Sequence, residues 1–175
     1  GQYYRENKMY DKALPNINKA LSLKPSTSLY NSRGKIYFDS NKRDLAIQDY
    51  DAGINLGDKN PKTLGEVYVN RGAALASIGQ LDKAILDFNK GLELDPTQLN
   101  GYSNRGLYHF QTRQYEKAIS DQTNYLKMNP LNYEMYYERA ISKAALGKYQ
   151  EAIQDFDIAL ANVKNKPFFY YERGR

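Results

Sequence analysis

One interval governs this chain. Small residues fall at Gly1, Gly34, Gly72, Gly106, Ala140 and Gly174, in steps of 33, 38, 34, 34 and 34. Alanines at Ala13, Ala46, Ala84, Ala118 and Ala152 keep the same steps. Tyr30, Tyr68, Tyr102, Tyr136 and Tyr170 each stand four residues before a small residue, and Pro25, Pro96 and Pro130 each stand twelve after an alanine. Agreement across several columns means that one supersecondary unit recurs, so the chain folds as an array of local cores. Thinly spread leucine and isoleucine and abundant tyrosine also favour many small local cores over a single large one.

Each unit carries two helical patterns. Tyr68, Gly72 and Leu75 lie four and three residues apart, one face of a helix; Ala84, Ile85, Phe88 and Leu92 form a second. Between them sits a short polar break, Ile78-Gly-Gln-Leu81 in one unit and Leu146-Gly-Lys-Tyr149 in another, where glycine suits a helix C-terminus. Asp95-Pro96 and Asn129-Pro130 close the second helix, because proline drives the preceding residue out of helical geometry. The small columns have a packing reason: antiparallel helices come close only where a side chain is missing, as at Gly106 facing Ala118. Tyr102, Phe156 and Leu160 fill the gaps beside such places. One helix pair cannot bury its apolar faces alone, so the units stack.

Two places break the pattern. The 38-residue step coincides with Gly57-Asp-Lys-Asn-Pro-Lys-Thr63, which reads as a lengthened turn between units. Gln122 and Tyr125 stand where the second helix of other units carries a large and a small residue, so packing there is expected to differ.

The 34-residue period, the aromatic-x-x-x-Gly first helix, the Ala-Ile second helix and the closing proline together resemble the tetratricopeptide repeat family, over essentially the whole chain. The resemblance implies an all-α fold, a right-handed α-solenoid of stacked antiparallel helix pairs. It places about five repeats in a single array over 1–175, with units at about 1–26 (partial), 27–64, 65–98, 99–132, 133–166 and 167–175 (partial). The chain starts and ends in the same column, Gly1 and Gly174, and the end segment Phe168-Phe-Tyr-Tyr171 is apolar. A piece of a longer array is therefore expected, with self-association through the exposed ends as the alternative.

Composition narrows the chemistry. With no cysteine there is no thiolate site, and His109, the one histidine, has no second histidine or cysteine with which to form a metal site. No catalytic Ser-His-Asp set, glycine-rich phosphate loop or cofactor site can be proposed, and the chain reads as non-enzymatic. There is no apolar run long enough to span a membrane. The net charge of +5 is scattered among alternating acids and bases, whereas a nucleic-acid binder more often shows a stripe of one sign. The compartment is open.

Arg33, Arg71, Arg105, Arg139 and Arg173 precede the small column, and Asp49, Asp87, Asp121 and Asp155 follow the first four by sixteen residues. In an antiparallel pair that spacing brings them level. We therefore expect an ion pair inside each unit, with the guanidinium fork matched to a carboxylate. The tyrosine column is expected to pack between helices, and His109 to be a packed residue.

In tetratricopeptide arrays the first helices line a concave surface. Counting from the small column, offsets of minus three, minus two, plus one and plus four are the positions expected to face solvent there. They supply a candidate peptide-binding groove of Asn31, Lys35, Phe38, Asn70, Asn104, Leu107, Phe110, Tyr137 and Ile141. An asparagine both donates and accepts, so it can grip an extended backbone without reading side chains. The ladder is incomplete, because Ser32 and Glu138 flank Asn70 and Asn104. Co-chaperones of the family hold a terminal carboxylate with two lysines, an arginine and two asparagines. Centred on Asn104, the partners would be Val69, Ala73, Glu134 and Glu138; centred on Asn70, they would be Asn31, Lys35, Asn100 and Asn104, with a single cation. A chaperone-tail carboxylate clamp is rejected on that ground. The expected function is a protein–protein interaction scaffold for a peptide or helix, ahead of an architectural role and of an RNA-binding helical repeat.

Overall fold

The computed structural model describes residues 2–162. It forms α1 (Gln2–Leu23), α2 (Thr27–Asp39), α3 (Arg43–Asn55), α4 (Pro61–Ser77), α5 (Leu81–Leu94), α6 (Leu99–Gln111), α7 (Tyr115–Met128), α8 (Tyr133–Ala145) and α9 (Tyr149–Asn162), with no strand among the described residues. The chain divides into two compact units, Gly1–Gln98 and Leu99–Arg175. In the first, α2 packs on α3 and α4 on α5; in the second, α6 packs on α7 and α8 on α9. Gly1, Tyr170, Arg173, Gly174 and the segment Phe168–Tyr171 lie outside the described residues. So do the partial unit at 167–175 and any association through the chain ends.

The helices begin and stop for local reasons. Ser26, Asn60 and Asn132 cap α2, α4 and α8 by accepting backbone N–H groups of the first turn. Pro61 opens α4, where a missing N–H costs nothing. The four breaks between first and second helices each place one residue in the left-handed region: Asn41, Gly79, Arg113 and Gly147. At Gly79 the following amide, Gln80 N, donates back to Leu75 O, which satisfies a carbonyl the helix would otherwise orphan. Lys8 falls in the same column, yet α1 continues unbroken through it to Leu23.

The core is a series of small clusters. Ala46, Tyr50, Val67 and Ala74 form one; Leu75, Ala84 and Phe88 a second; Tyr137, Ala140, Ala152, Phe156 and Ala159 a third. The small column does what its spacing requires. A Cβ added at Gly34 would sit 2.5 Å from Tyr50 Cε1, and one at Gly72 would sit 2.7 Å from Phe88 Cε1. Each buried ring contributes about 1.5–3 kcal/mol, and that burial depends on the absent side chain opposite.

The extra residues of the 38-residue step lie mainly in a helix. α4 has 17 residues where α2, α6 and α8 each have 13, while the connection at 56–60 stays short. The lengthened turn expected at Gly57–Thr63 is thus mostly an added helical turn. Asn60 and Pro61 start α4 early, and Gly57, with φ +66°, turns the chain into it.

Candidate functional site

The recurrent arginines are structural. Arg33 donates from Nε and Nη2 to the two carboxylate oxygens of Asp49 at 2.8 and 2.6 Å. Arg71 and Asp87, Arg105 and Asp121, and Arg139 and Asp155 repeat the two-point contact at 2.7–2.9 Å. The aspartates are buried and the bonds hold Arg33 and Arg71 more firmly charged than a free guanidinium. Each arginine also lies over a ring of the tyrosine column, at 5.7 Å for Tyr30 and 5.3 Å for Tyr136. Those tyrosines are half-buried, so they serve as stacked lids on the ion pairs as well as packing groups.

One partner was not foreseen. The remaining guanidinium nitrogen reaches the second helix of the preceding repeat: Arg33 Nη1 to Asn18 at 2.7 Å, Arg71 Nη1 to Asp51 at 2.6 Å, Arg139 Nη1 to Thr123 at 3.1 Å. The signal was present in the sequence, since Asn18, Asp51 and Thr123 all stand five residues after a column alanine.

The column holding His109 also meets the aspartates. Lys143 Nζ lies 2.8 Å from Asp155, and His109 Nε2 lies 3.8 Å from Asp121. His109 is packed, as expected, with its ring edge-on to Tyr108. Burial pushes the imidazole below its usual pKa; Asp121 opposes that, and Lys117 and Arg105 add to it.

Seven of the nine candidate groove residues fall into three groups; Asn70, the donor to Asn31, and Asn104 stand apart. Asn31 and Tyr137 are buried, which corrects the expectation that offset minus three faces solvent. Offset minus three is buried at Asn31, Val69 and Tyr137, on the flank of the first helix that packs inside the array; offset plus four, two helical turns on, is half-buried. Asn31 accepts from Asn70 Nδ2 at 2.9 Å, and Tyr137 packs edge-on to Phe156. Lys35 and Phe38 are engaged by their own chain. Lys35 pairs with Glu66 at 3.3 Å, and Arg43 stacks 3.9 Å above the Phe38 ring while donating to the Phe38 carbonyl. Asn104 is half-buried on α6.

Leu107, Phe110 and Ile141 are brought together. With Gln122 and Glu138 they line a recess of about 140 Å³ between α6, α7 and α8. Its origin is the break in the aromatic column. Tyr50, Phe88 and Phe156 fill the corresponding space in other repeats; here Gln122 does so incompletely. A Cβ added at Gly106 would meet nothing closer than 3.4 Å, unlike one at Gly34 or Gly72. Gln122 is 3% exposed and its Oε1 has no hydrogen-bond partner. Leu107, by contrast, is 52% exposed at the mouth. Glu138 is exposed, and partial desolvation, with Glu134 nearby, shifts its pKa upward from the ordinary value. A second depression lies elsewhere, between α3, α4 and α5, where Ile47, Leu75, Ile78 and Leu86 face Asp51 and Arg71 in about 600 Å³. Sequence reasoning did not anticipate it, because its lining mixes columns that serve the core with residues unique to one repeat.

Three family models described as Tetratricopeptide repeat match the sequence, one at residues 1–27 and 27–59, one at 65–98 and one at 103–167. The chain belongs to the tetratricopeptide repeat family. Two proteins of Arabidopsis thaliana are similar over part of their length. One is Hsp70-Hsp90 organizing protein 2, 34% identical over 71 residues, which are 41% of this chain and 12% of that protein. The other is TPR repeat-containing thioredoxin TDX, 31% identical over 87 residues, 49% of this chain and 22% of that one. The chain thus matches less than a quarter of either relative.

Among solved tetratricopeptide structures, MamA superposes with a TM-score of 0.76 at 23% identity over 90% of both chains. YrrB, described as a TPR protein with an unusual peptide-binding site, gives 0.76 at 16% identity, over 99% of this chain and 88% of its own. A tetratricopeptide repeat protein from Parabacteroides merdae gives 0.73 at 23% identity, over 99% and 72%. At these identities the likeness carries the fold alone, an all-α helical-repeat solenoid. Tetratricopeptide folds are protein–protein interaction scaffolds, and no described helix is long and apolar enough to cross a membrane.

Proposed function

We propose that this chain is a non-enzymatic scaffold that holds a peptide or helix of a protein partner along the faces of its first helices, with Leu107, Phe110 and Ile141 as the anchoring surface. The observation that carries the reading is an exposed leucine at the mouth of an apolar recess that the repeat does not fill for itself. Packing alone accounts for the tyrosine, glycine and alanine columns, but not for Leu107. Apolar pockets of this kind concentrate binding energy into a few anchors. Residues 1–175 are read as one array with unit boundaries near 27, 65, 99 and 133. The acidic Glu134 and Glu138 and the buried Val69 speak against a carboxylate clamp for chaperone tails.

The test is selection of binding peptides from a displayed random library, followed by calorimetry with Leu107→Ala/Phe110→Ala. Loss of two anchors is expected to weaken binding at least about tenfold, with the helical circular-dichroism signal unchanged. Selected peptides that bind the double variant as well as the parent would sink the groove assignment. Oligonucleotide binding with a steep salt dependence would replace it with a nucleic-acid role.

A further inference from the structure

The recess at Leu107 has a chemical asymmetry that an apolar anchor alone would not use. Its walls are carbon: Leu107, Phe110 and Ile141. Glu138, an exposed side chain, is the one charged residue of the lining, while the unpartnered Gln122 Oε1 is sealed off from the recess. A carboxylate only accepts, so the complementary occupant is a donor that carries positive charge. The volume, about 140 Å³, is that of a cavity that holds one ring-sized group; it admits a single side chain.

A second observation comes from another repeat. Phe38 and Phe110 hold equivalent places, each four residues after the column glycine. Over Phe38 the chain lays the guanidinium of Arg43. The residue equivalent to Arg43, nine after the glycine, is Tyr115 in the Phe110 repeat, and its ring meets Phe110 at 5.6 Å. The chain provides its own cation for the first phenylalanine and an uncharged ring for the second.

We propose that the recess takes an arginine side chain from the bound peptide, its stem along Leu107 and Ile141, its guanidinium over Phe110 and donating to Glu138. Arginine suits the site better than lysine because its planar fork carries several donors in fixed directions and stacks on a ring face. The proposal rests on the peptide-binding reading above and names the residue that the peptide contributes.

The probe is Nα-acetyl-arginine N-methylamide, titrated into the full chain while the methyl resonances of Leu107 and Ile141 are followed by NMR. Citrulline, which has nearly the same shape without the charge, and norleucine, which has only the stem, serve as matched comparators. Saturable shifts with the arginine probe are expected, about tenfold weaker with citrulline and with Glu138→Gln, the scale of one charge-assisted hydrogen bond. Gln122→Phe, which restores the ring of the other repeats, is expected to remove the shifts and keep the fold. Equal binding of norleucine or citrulline overturns the proposal, as does the absence of a saturable shift with arginine in a parent chain that is fully folded. Library-selected peptides that need Leu107 and Phe110 but carry no arginine overturn this inference and leave the peptide-binding reading standing. Peptides indifferent to Leu107 and Phe110 overturn that reading itself.

Discussion

Two glycines of the same column are predicted to respond in opposite directions to the same substitution. At Gly72 an added Cβ would lie 2.7 Å from Phe88 Cε1, 2.9 Å from Phe88 Cδ1 and 3.1 Å from the carbonyl oxygen of Ala84. The Phe88 ring is 1% exposed, and the carbonyl belongs to α5, so neither can yield cheaply. Overpacking of this kind costs about 1–3 kcal/mol, and the crowding on two sides places Gly72→Ala in the upper half of that range. Replacing a mid-helix glycine by alanine returns about 1 kcal/mol. The net result is a loss of about 1–2 kcal/mol. At Gly106 the nearest atoms are Asp121 Cβ at 3.4 Å, Gln122 Cγ at 3.6 Å and Ala118 O at 3.8 Å, all ordinary contacts. Only the propensity gain remains, so Gly106→Ala is expected to stabilise by about 0.5–1 kcal/mol. Urea unfolding of the two variants reads the difference as midpoints moving apart at constant slope. Amide exchange in α4–α5 and in α6–α7 assigns each change to its helix pair. If both variants shift the same way, the argument that Gln122 relaxes the packing opposite Gly106 is wrong.

Two further expectations concern the buried charges. Arg71→Met leaves Asp87, a buried carboxylate, without its two-point donor, and is expected to cost about 3 kcal/mol in urea unfolding. Adding Asp87→Leu should restore most of that; a double variant no better than the single one would show that the pair does more than neutralise a buried charge. The depressed His109 pKa means that the unfolded chain binds the proton more readily than the folded one. Stability from this group is therefore complete above the unfolded pKa of about 6.5 and falls as pH drops below it toward the folded value. His109→Gln should flatten that part of the stability profile, and a slope unchanged by the substitution would assign it to other groups.

The sequence exposed the array because a repeat states its geometry several times over. Sixteen residues between arginine and aspartate sufficed to pair them, since any antiparallel helix pair of this length brings those positions level. Phase around a helix was less secure. Asn31 and Tyr137 lie only one turn from exposed positions, and a first helix wedged between its partner and the next unit keeps a narrow stripe open. The four extra residues before Gly72 were visible, but whether they lengthened a turn or a helix depended on Asn60 and Pro61 acting together as a start signal. The recess at Leu107 was half legible: Gln122 stood out as a departure, yet the space it leaves depends on the neighbouring α8, which a single column does not report.

The arginine fork has a consequence for how such a chain could be cut, spliced or recombined. Two nitrogens of Arg71 bind Asp87 in its own helix pair, and the third binds Asp51 in the pair before it. Arg33 reaches Asn18 and Arg139 reaches Thr123 in the same way. A helix pair excised at its boundaries therefore carries an arginine with one donor facing nothing, and leaves behind a second helix that has lost its acceptor's mate. The helix pair nevertheless remains the module to move: a cut between α4 and α5 breaks the two-point contact to the buried Asp87, whereas a cut between α3 and α4 breaks one bond to the more exposed Asp51. Chimeras that join intact pairs should fold most often when the preceding pair offers an acceptor five residues after its column alanine, as Asn18, Asp51 and Thr123 do.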